Sequence, residues 1–77
     1  MSGKDRLRKE QFINYELYSL LSCIDRDISN VIALVDSKKN DVNYVWVKYH
    51  NGNSVKVNVE CDSLAAITKD VIEKLFF

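Results

Sequence analysis

Apolar and polar residues alternate along residues 44–59, and this alternation is the clearest structural signal in the sequence. Valines recur at every second position on both sides of an Asn-Gly pair: Val45, Val47, Val55, Val57 and Val59. Alternation with a period of two is typical of strands with one buried face, and Asn51-Gly52 is typical of a hairpin turn. The pattern therefore predicts an antiparallel β-hairpin over residues 42–61.

The register of this hairpin follows from keeping the valines on one side. A three-residue loop at residues 50–52 pairs Val47 with Val55, whereas a two-residue loop mixes polar and apolar residues on each face. In the three-residue loop, Gly52 takes the positive φ that follows a type I turn. The face expected to turn to the core, here called the valine face, contains Val45, Val47, Tyr49, Val55, Val57, Val59 and Cys61. The opposite face, here called the Trp46 face, contains Tyr44, Trp46, Lys48, Ser54, Lys56, Asn58 and Glu60.

Apolar positions before the hairpin repeat at the spacing of a helix. They are Ile13, Leu17, Leu20, Leu21, Ile24, Ile28, Val31, Ile32 and Val35. This spacing predicts a long helix over residues 12–38, with Asn40 as a left-handed cap. An alternative stays open, because Val31–Asp36 is rich in β-branched residues. In that alternative Val31–Asp36 is a third strand and the helix ends near Asp27.

The charged residues 1–11 precede this apolar stripe. Because the stripe begins only at Ile13, we expect residues 1–11 to form a frayed or solvent-exposed helix start that projects past the core.

A second helical repeat follows the hairpin over residues 62–77, with Asp62 or Ser63 as its N-cap. The predicted fold class is α+β, in the order helix, hairpin, helix (α-β-β-α), with both helices on the valine face. A length of 77 residues predicts a single domain over residues 1–77.

Composition narrows the class of protein. Apolar residues make up 47% and charged residues 29%, as in ordinary globular proteins. The formal net charge is zero, with 11 basic and 11 acidic residues, which argues against a dedicated nucleic-acid binder. The sequence has neither an apolar run of about 20 residues nor an apolar signal segment, which predicts a cytoplasmic protein without a membrane span. Cys23 and Cys61 are then expected to be reduced thiols, with a disulfide between them as the alternative.

The residue types that catalysis requires do not cluster along the sequence. His50, the only histidine, falls in the predicted turn, and it shares no metal-ligand spacing with Cys23 or Cys61. Asp25 and Asp27 lie two apart and point in divergent directions on a helix, so they do not form an acid–base pair. We therefore predict a protein that is not an enzyme and that holds neither a cofactor nor a metal.

One set of residues does indicate binding, namely the aromatic and basic residues of the Trp46 face. We predict that Tyr44, Trp46, Lys48, Lys56 and Asn58 form a binding face for a partner or a ligand. Three occupants stay open: a second copy of the chain in a homodimer or larger oligomer, another protein anchored by the aromatic residues, or a nucleotide stacked on them.

Residues 60–72 read Glu-Cys-Asp-Ser-Leu-Ala-Ala-Ile-Thr-Lys-Asp-Val-Ile and follow the valine-rich hairpin. This arrangement, a β-hairpin followed by an Asp-Ser-Leu-x-Ala helix, resembles small accessory proteins of bacteriophages and mobile elements. The resemblance implies an inhibitor that binds and occludes a bacterial defence protein in the host cell cytoplasm. One alternative is an oligomeric sponge that sequesters a nucleotide signal. The other is a small nucleic-acid-binding regulator that uses Lys4, Arg6, Arg8 and Lys9.

Overall fold

One continuous helix forms the first part of the computed structural model, which describes residues 3–60 and 63–77. Its three segments are α1 (Gly3–Gln11), a π-helical segment (Phe12–Leu17) and α2 (Tyr18–Ile24). The backbone stays right-handed helical at both junctions, so the segments share one axis without a break. Among the described residues, no helix is long and apolar enough to cross a membrane.

The predicted helix over residues 12–38 is wrong in its second half. The helix ends at Ile24, because Asp25 adopts an extended backbone (φ −134°) and its Oδ1 accepts a hydrogen bond from the Asp27 amide at 3.0 Å. The chain then enters strand β1 (Ile28–Asp36), which confirms the alternative of a third strand. The β-branched residues there fit a pleated strand that pairs with the hairpin.

The sheet has three antiparallel strands in the order β1-β2-β3, so the predicted two-stranded hairpin is only part of it. Strand β2 covers Asp41–Tyr49 and strand β3 covers Ser54–Asn58. A last helix, α3, covers Leu64–Phe76. The α+β class is confirmed, with the order helix, three strands, helix.

The predicted register of the β2–β3 hairpin is confirmed. Val47 pairs with Val55 and Val45 pairs with Val57. The loop has the expected geometry, since the Gly52 amide donates to the Tyr49 carbonyl at 3.1 Å and Gly52 has φ +93°. A side chain at that φ is strained, which explains the glycine.

The core lies between the valine face and the helices. It consists of Ile13, Leu17, Leu21, Ile28, Val31, Val42, Val45, Val47, Val57, Val59, Ile67 and Val71. The valines predicted to be buried are therefore in the core or, as with Val55, packed against it. Cys61, also expected there, lies outside the described residues.

The helical stripe is narrower than its spacing predicts. Leu20 and Ile24 are exposed, whereas Ile13, Leu17 and Leu21, each four residues apart, are fully buried. A π-helical turn holds more residues than an α-helical turn. Ile13 and Leu17, four residues apart within this segment, therefore both face the sheet, whereas Leu20 and Ile24 on α2 lie outside the buried stripe.

Asn40 has the predicted left-handed conformation (φ +53°), but in a different element. It belongs to the turn between β1 and β2, not to a helix end. Asparagine tolerates this conformation better than most residues, so the same preference serves a hairpin turn.

Two residues of the helix start, Arg6 and Lys9, are tied to the sheet, which corrects the expectation that residues 1–11 project past the core, while Leu7 and Arg8 are exposed as expected. Arg6 donates from Nη1 to Oδ1 of Asn40 at 2.8 Å, and Lys9 Nζ lies 3.1 Å from both carboxylate oxygens of Asp41. The side chains of Lys9 and Asp41 are only 11% and 8% exposed. These four residues, here called the basic clasp, fasten α1 to the β1–β2 turn.

The N-cap of α3 is Ser63, whose hydroxyl accepts a hydrogen bond from the Ala66 amide at 3.3 Å. This confirms one of the two predicted caps, while Asp62 lies outside the described residues. Ile67 and Val71 turn from α3 into the core. Both helices therefore pack on the valine face, as predicted, and they leave the Trp46 face uncovered.

Candidate binding face

The structure brings the predicted binding residues together on the uncovered side of the sheet. Trp46 pairs with Lys56 across β2 and β3, and Tyr44 pairs with Asn58 at the far end of the same strands. Lys56 and Asn58 are exposed, Tyr44 is 36% exposed, and Trp46 and Lys48 are half-buried. Their role in binding stays a prediction.

The ammonium groups of two lysines lie close to the indole of Trp46. Lys48 Nζ lies 4.2 Å from the centre of the ring, and Lys56 Nζ lies 5.3 Å from it. At these distances an ammonium group is attracted to the negative face of the indole. The lysines shield part of the aromatic surface from water and place two positive charges at the centre of the face.

Strand β1 adds two aliphatic residues that sequence reasoning missed. Ile32 pairs with Trp46 and Leu34 pairs with Tyr44, and directly paired residues point to the same side of a sheet. Both are partly exposed. The signal was present in the open alternative, because a strand over Val31–Asp36 alternates Ile32 and Leu34 against the buried Val31.

An open groove of about 320 Å³ adjoins Trp46 at the hairpin end of this face. It is lined by Ser29, Trp46, Lys48, Tyr49, Gly52, Asn53 and Ser54. Its polar groups include the hydroxyls of Ser29 and Ser54, and Ser29 donates to the Lys48 carbonyl at 3.2 Å. The groove offers a shallow depression beside the aromatic centre of the face.

The lysines of this face are not neutralised by carboxylates of the described residues. The ion pairs among the described residues join Arg6 to Glu10, Lys9 to Asp41, Lys39 to Glu60, and Lys69 to Glu73. Lys48 and Lys56 take part in none of them. The Trp46 face therefore combines an apolar surface with uncompensated positive charge.

A second groove of about 340 Å³ lies beside the π-helical segment. It is lined by Arg8, Gln11, Phe12, Tyr15, Glu16 and Leu64. Arg8 and Glu16 bring opposite charges to it, so it does not select a ligand by charge. The Trp46 face is the better defined of the two surfaces.

Two residue types that metal or nucleophilic chemistry uses, histidine and cysteine, occur among the described residues at His50 and Cys23. His50 is exposed in the β2–β3 turn, and Cys23 is a free, exposed thiol on α2. In residues 3–60 and 63–77, no three His, Cys, Asp or Glu side chains lie close enough to hold a metal ion.

The Tyr49 phenol, which lines the groove beside Trp46, has a pKa above its ordinary value of 10.0. Burial is the main cause, because it disfavours the charged phenolate. The negative charges of Asp25 and Asp27 raise the pKa further.

This raised pKa makes stability depend on pH in the alkaline range. The unfolded chain loses the phenol proton near pH 10 while the folded protein keeps it, so stability falls as the pH rises through about 10. Tyr49→Phe lacks this proton and is expected to lose less stability than the parent between about pH 9 and pH 11. Urea unfolding of the parent and of Tyr49→Phe at about pH 9 and pH 11 measures this difference. The other tyrosines and the lysines titrate in both proteins, so their contributions to the change in stability cancel. An equal loss in both proteins contradicts the prediction.

Comparison of the chain with protein-family models, with curated proteins and with solved structures gave no match. The resemblance to accessory proteins of bacteriophages and mobile elements therefore stays a prediction.

Proposed function

We propose that this protein is a non-catalytic binding protein that docks a partner protein on the Trp46 face and thereby covers a surface of that partner. One observation carries the proposal: the helices pack on the valine face only and leave the opposite side of the sheet uncovered, with an indole at its centre. Tryptophan and tyrosine are the usual anchors of protein interfaces, where a few residues supply most of the binding free energy.

The shape of the face favours a protein over a nucleotide. Small ligands bind in concave sites that bury most of their surface, whereas this face is a sheet surface widened by Ile32 and Leu34, and its groove beside Trp46 is shallow and open. The Lys48 ammonium already lies 4.2 Å from the indole centre, where a stacked base would sit. A nucleotide would have to displace this contact.

The nucleic-acid alternative loses two of its four basic residues to internal contacts. Arg6 is hydrogen-bonded to Asn40, and Lys9 forms an ion pair with the buried Asp41. Binding of a phosphate backbone needs basic groups that are free to release counterions. The zero net charge of the chain points the same way.

Inhibition is the form of this function that the resemblance implies, with a bacterial defence protein as the partner. Occlusion requires only a complementary surface that competes with the partner's own substrate or subunit, and it requires no reactive group. A pre-formed sheet suits this task, because less conformational entropy is lost on binding than when a segment must fold.

Site-specific photo-cross-linking tests the proposal. The photoreactive residue p-benzoylphenylalanine replaces Leu34 on the Trp46 face in one variant and Lys74, an exposed residue of α3, in a matched control. In bacterial cells we expect a defined protein to be cross-linked from position 34 and not from position 74. Cross-linking of that protein from position 74 alone would place the site elsewhere and overturn the proposal.

Titration of the purified protein with cyclic and linear nucleotides tests the sponge alternative. Trp46 is the only tryptophan, so its fluorescence reports any base stacked on the face. We expect no saturable change. A saturable change, together with nucleotide mass retained in native mass spectrometry, would favour the sponge over the protein partner.

A further inference from the structure

The two edges of the sheet differ in whether their outward backbone groups are satisfied. On the β1 edge, the Ala33 amide donates to Oδ1 of Asn14 in the π-helical segment at 3.2 Å. The Val31 amide donates to Oδ1 of Asn30 at 2.9 Å. Asparagine side chains thus bond amides on the outer side of β1, where another strand would otherwise pair.

Two hydrogen bonds fix which backbone groups of β3 face β2. The Tyr49 amide donates to the Asn53 carbonyl at 2.9 Å, and the Val59 amide donates to the Asn43 carbonyl at 3.0 Å. In an antiparallel pair the bonded positions recur at every second residue. The odd-numbered residues of β3 therefore bond to β2, and its even-numbered residues turn their backbone groups outward.

The outward residues of β3 are Ser54, Lys56 and Asn58, and all three are exposed. Within the part of the chain that the structure describes, their amides donate to no acceptor. A row of unpaired donors and acceptors on an edge strand is a template for an added strand. Among the described residues, two outward amides of β1 are satisfied by asparagine side chains, whereas the outward amides of β3 are not.

We propose that the β3 edge takes up an extended acidic segment of the partner protein, which adds to the sheet as a fourth strand. This inference rests on the proposed function, because the same partner covers the adjoining Trp46 face. Strand addition supplies affinity through backbone hydrogen bonds, and the alternating side chains supply specificity.

Charge defines the chemistry of the added strand. Lys56 lies at the centre of β3, and neither it nor Lys48 is paired with a carboxylate of the described residues. A residue opposite Lys56 on an added strand has its side chain on the same face, about 5 Å away. A glutamate or aspartate at that position meets the ammonium group of Lys56 beside Trp46.

A second copy of the chain fits this edge less well. Antiparallel pairing of two β3 strands over their full length places Lys56 directly opposite its equivalent in the other copy. Like charges in directly opposed positions are destabilising. The β3 edge therefore favours an acidic partner over self-association.

Amide hydrogen exchange of the ¹⁵N-labelled protein with a model peptide tests the inference. The probe is acetyl-Glu-Val-Glu-Val-Glu-Val-Glu-amide, added at up to about 1 mM, the range in which a short strand is expected to bind. We expect slower exchange of the Ser54, Lys56 and Asn58 amides, and no change at Val31 or Ala33 on the β1 edge. The absence of protection on β3 overturns the inference.

Two matched comparisons separate strand addition from simple charge attraction. The same peptide with N-methyl groups on the amides that face β3 keeps its charge and is expected to give no protection. Lys56→Glu is expected to weaken binding of the parent peptide about tenfold or more, whereas Lys74→Glu on α3 leaves it unchanged. Equal binding of the N-methylated peptide, or equal effects of the two substitutions, contradicts the inference.

The failure of this inference is distinguishable from failure of the proposed function. A partner that cross-links to position 34 while the three β3 amides exchange freely leaves the proposed function standing and removes strand addition. Protection of those amides that depends on protein concentration, without peptide, assigns the edge to a second copy and overturns the acidic partner.

Discussion

Replacing Trp46 by alanine is expected to weaken binding of the partner protein by about 2 kcal/mol or more, which is about thirtyfold in Kd. The indole lies at the centre of the Trp46 face, between Lys48 and Lys56. Its removal deletes the largest anchor and also releases the two ammonium groups that it orients. The protein captured by cross-linking from position 34 is the ligand for this measurement, by titration calorimetry or surface plasmon resonance.

Tyr15→Ala is the matched control for this substitution. Tyr15 is also an aromatic residue, 69% exposed, but it lies on the helix and outside the Trp46 face. We expect this variant to bind as the parent does. If Trp46→Ala is folded and binds with unchanged affinity, the Trp46 face is not the docking surface. If both variants lose affinity equally, the docking surface lies on both sides of the molecule.

Replacing Asp41 by alanine is expected to lower the free energy of unfolding by about 3 kcal/mol. The Lys9 ammonium lies 3.1 Å from both carboxylate oxygens and is almost enclosed, so it would be left buried without a partner. The Asp41 carboxylate also accepts a hydrogen bond from the Val42 amide at 2.8 Å, which would lose its acceptor. Urea unfolding measures the loss as a lower midpoint at an unchanged slope.

The Lys69–Glu73 pair on α3 gives the control for this effect. Its atoms are 3.9 Å apart and its side chains are 74% and 58% exposed, so Glu73→Ala is expected to cost less than about 0.5 kcal/mol. Asp41→Asn keeps an acceptor for Val42 and isolates the loss of charge. Equal costs for Asp41→Ala and Glu73→Ala would show that the burial of the basic clasp contributes nothing to stability.

The β2–β3 hairpin could be read from the sequence because its determinants are local. The Asn51-Gly52 pair fixes the turn, and the alternating valines fix the register, so no distant residue is needed to choose between the two loops. The helix boundary could not be read in the same way. Ile28 and Val31 continue a helical spacing and, being three apart, break the alternation of a regular strand. Both are buried on β1 because the register shifts between Ile28 and Asn30, and only pairing with β2 reveals this.

The candidate site follows the same division between local and distant determinants. Alternation alone placed Tyr44, Trp46 and Lys56 on one face of the hairpin. The contribution of Ile32 required knowledge that a third strand exists. The contact of Lys9 with Asp41 joins residues 32 positions apart, and no local pattern marks either of them as half of a pair.

The π-helical segment changes the direction in which the side chains of α1 point relative to those of α2. A π-helical turn holds more residues than an α-helical turn, so the phase of α1 differs from that of an uninterrupted α-helix. With that phase α1 presents Arg6 and Lys9 to the β1–β2 turn, while the widened turn presents Asn14 to the amide of Ala33. The same helix thereby contacts the β1–β2 turn near its N-terminal end and an outward amide of β1 at its middle. Because this helix places Asn14 at the Ala33 amide, it satisfies a donor on the β1 edge, and among the described residues the outward amides of β3 at the opposite edge stay without an acceptor.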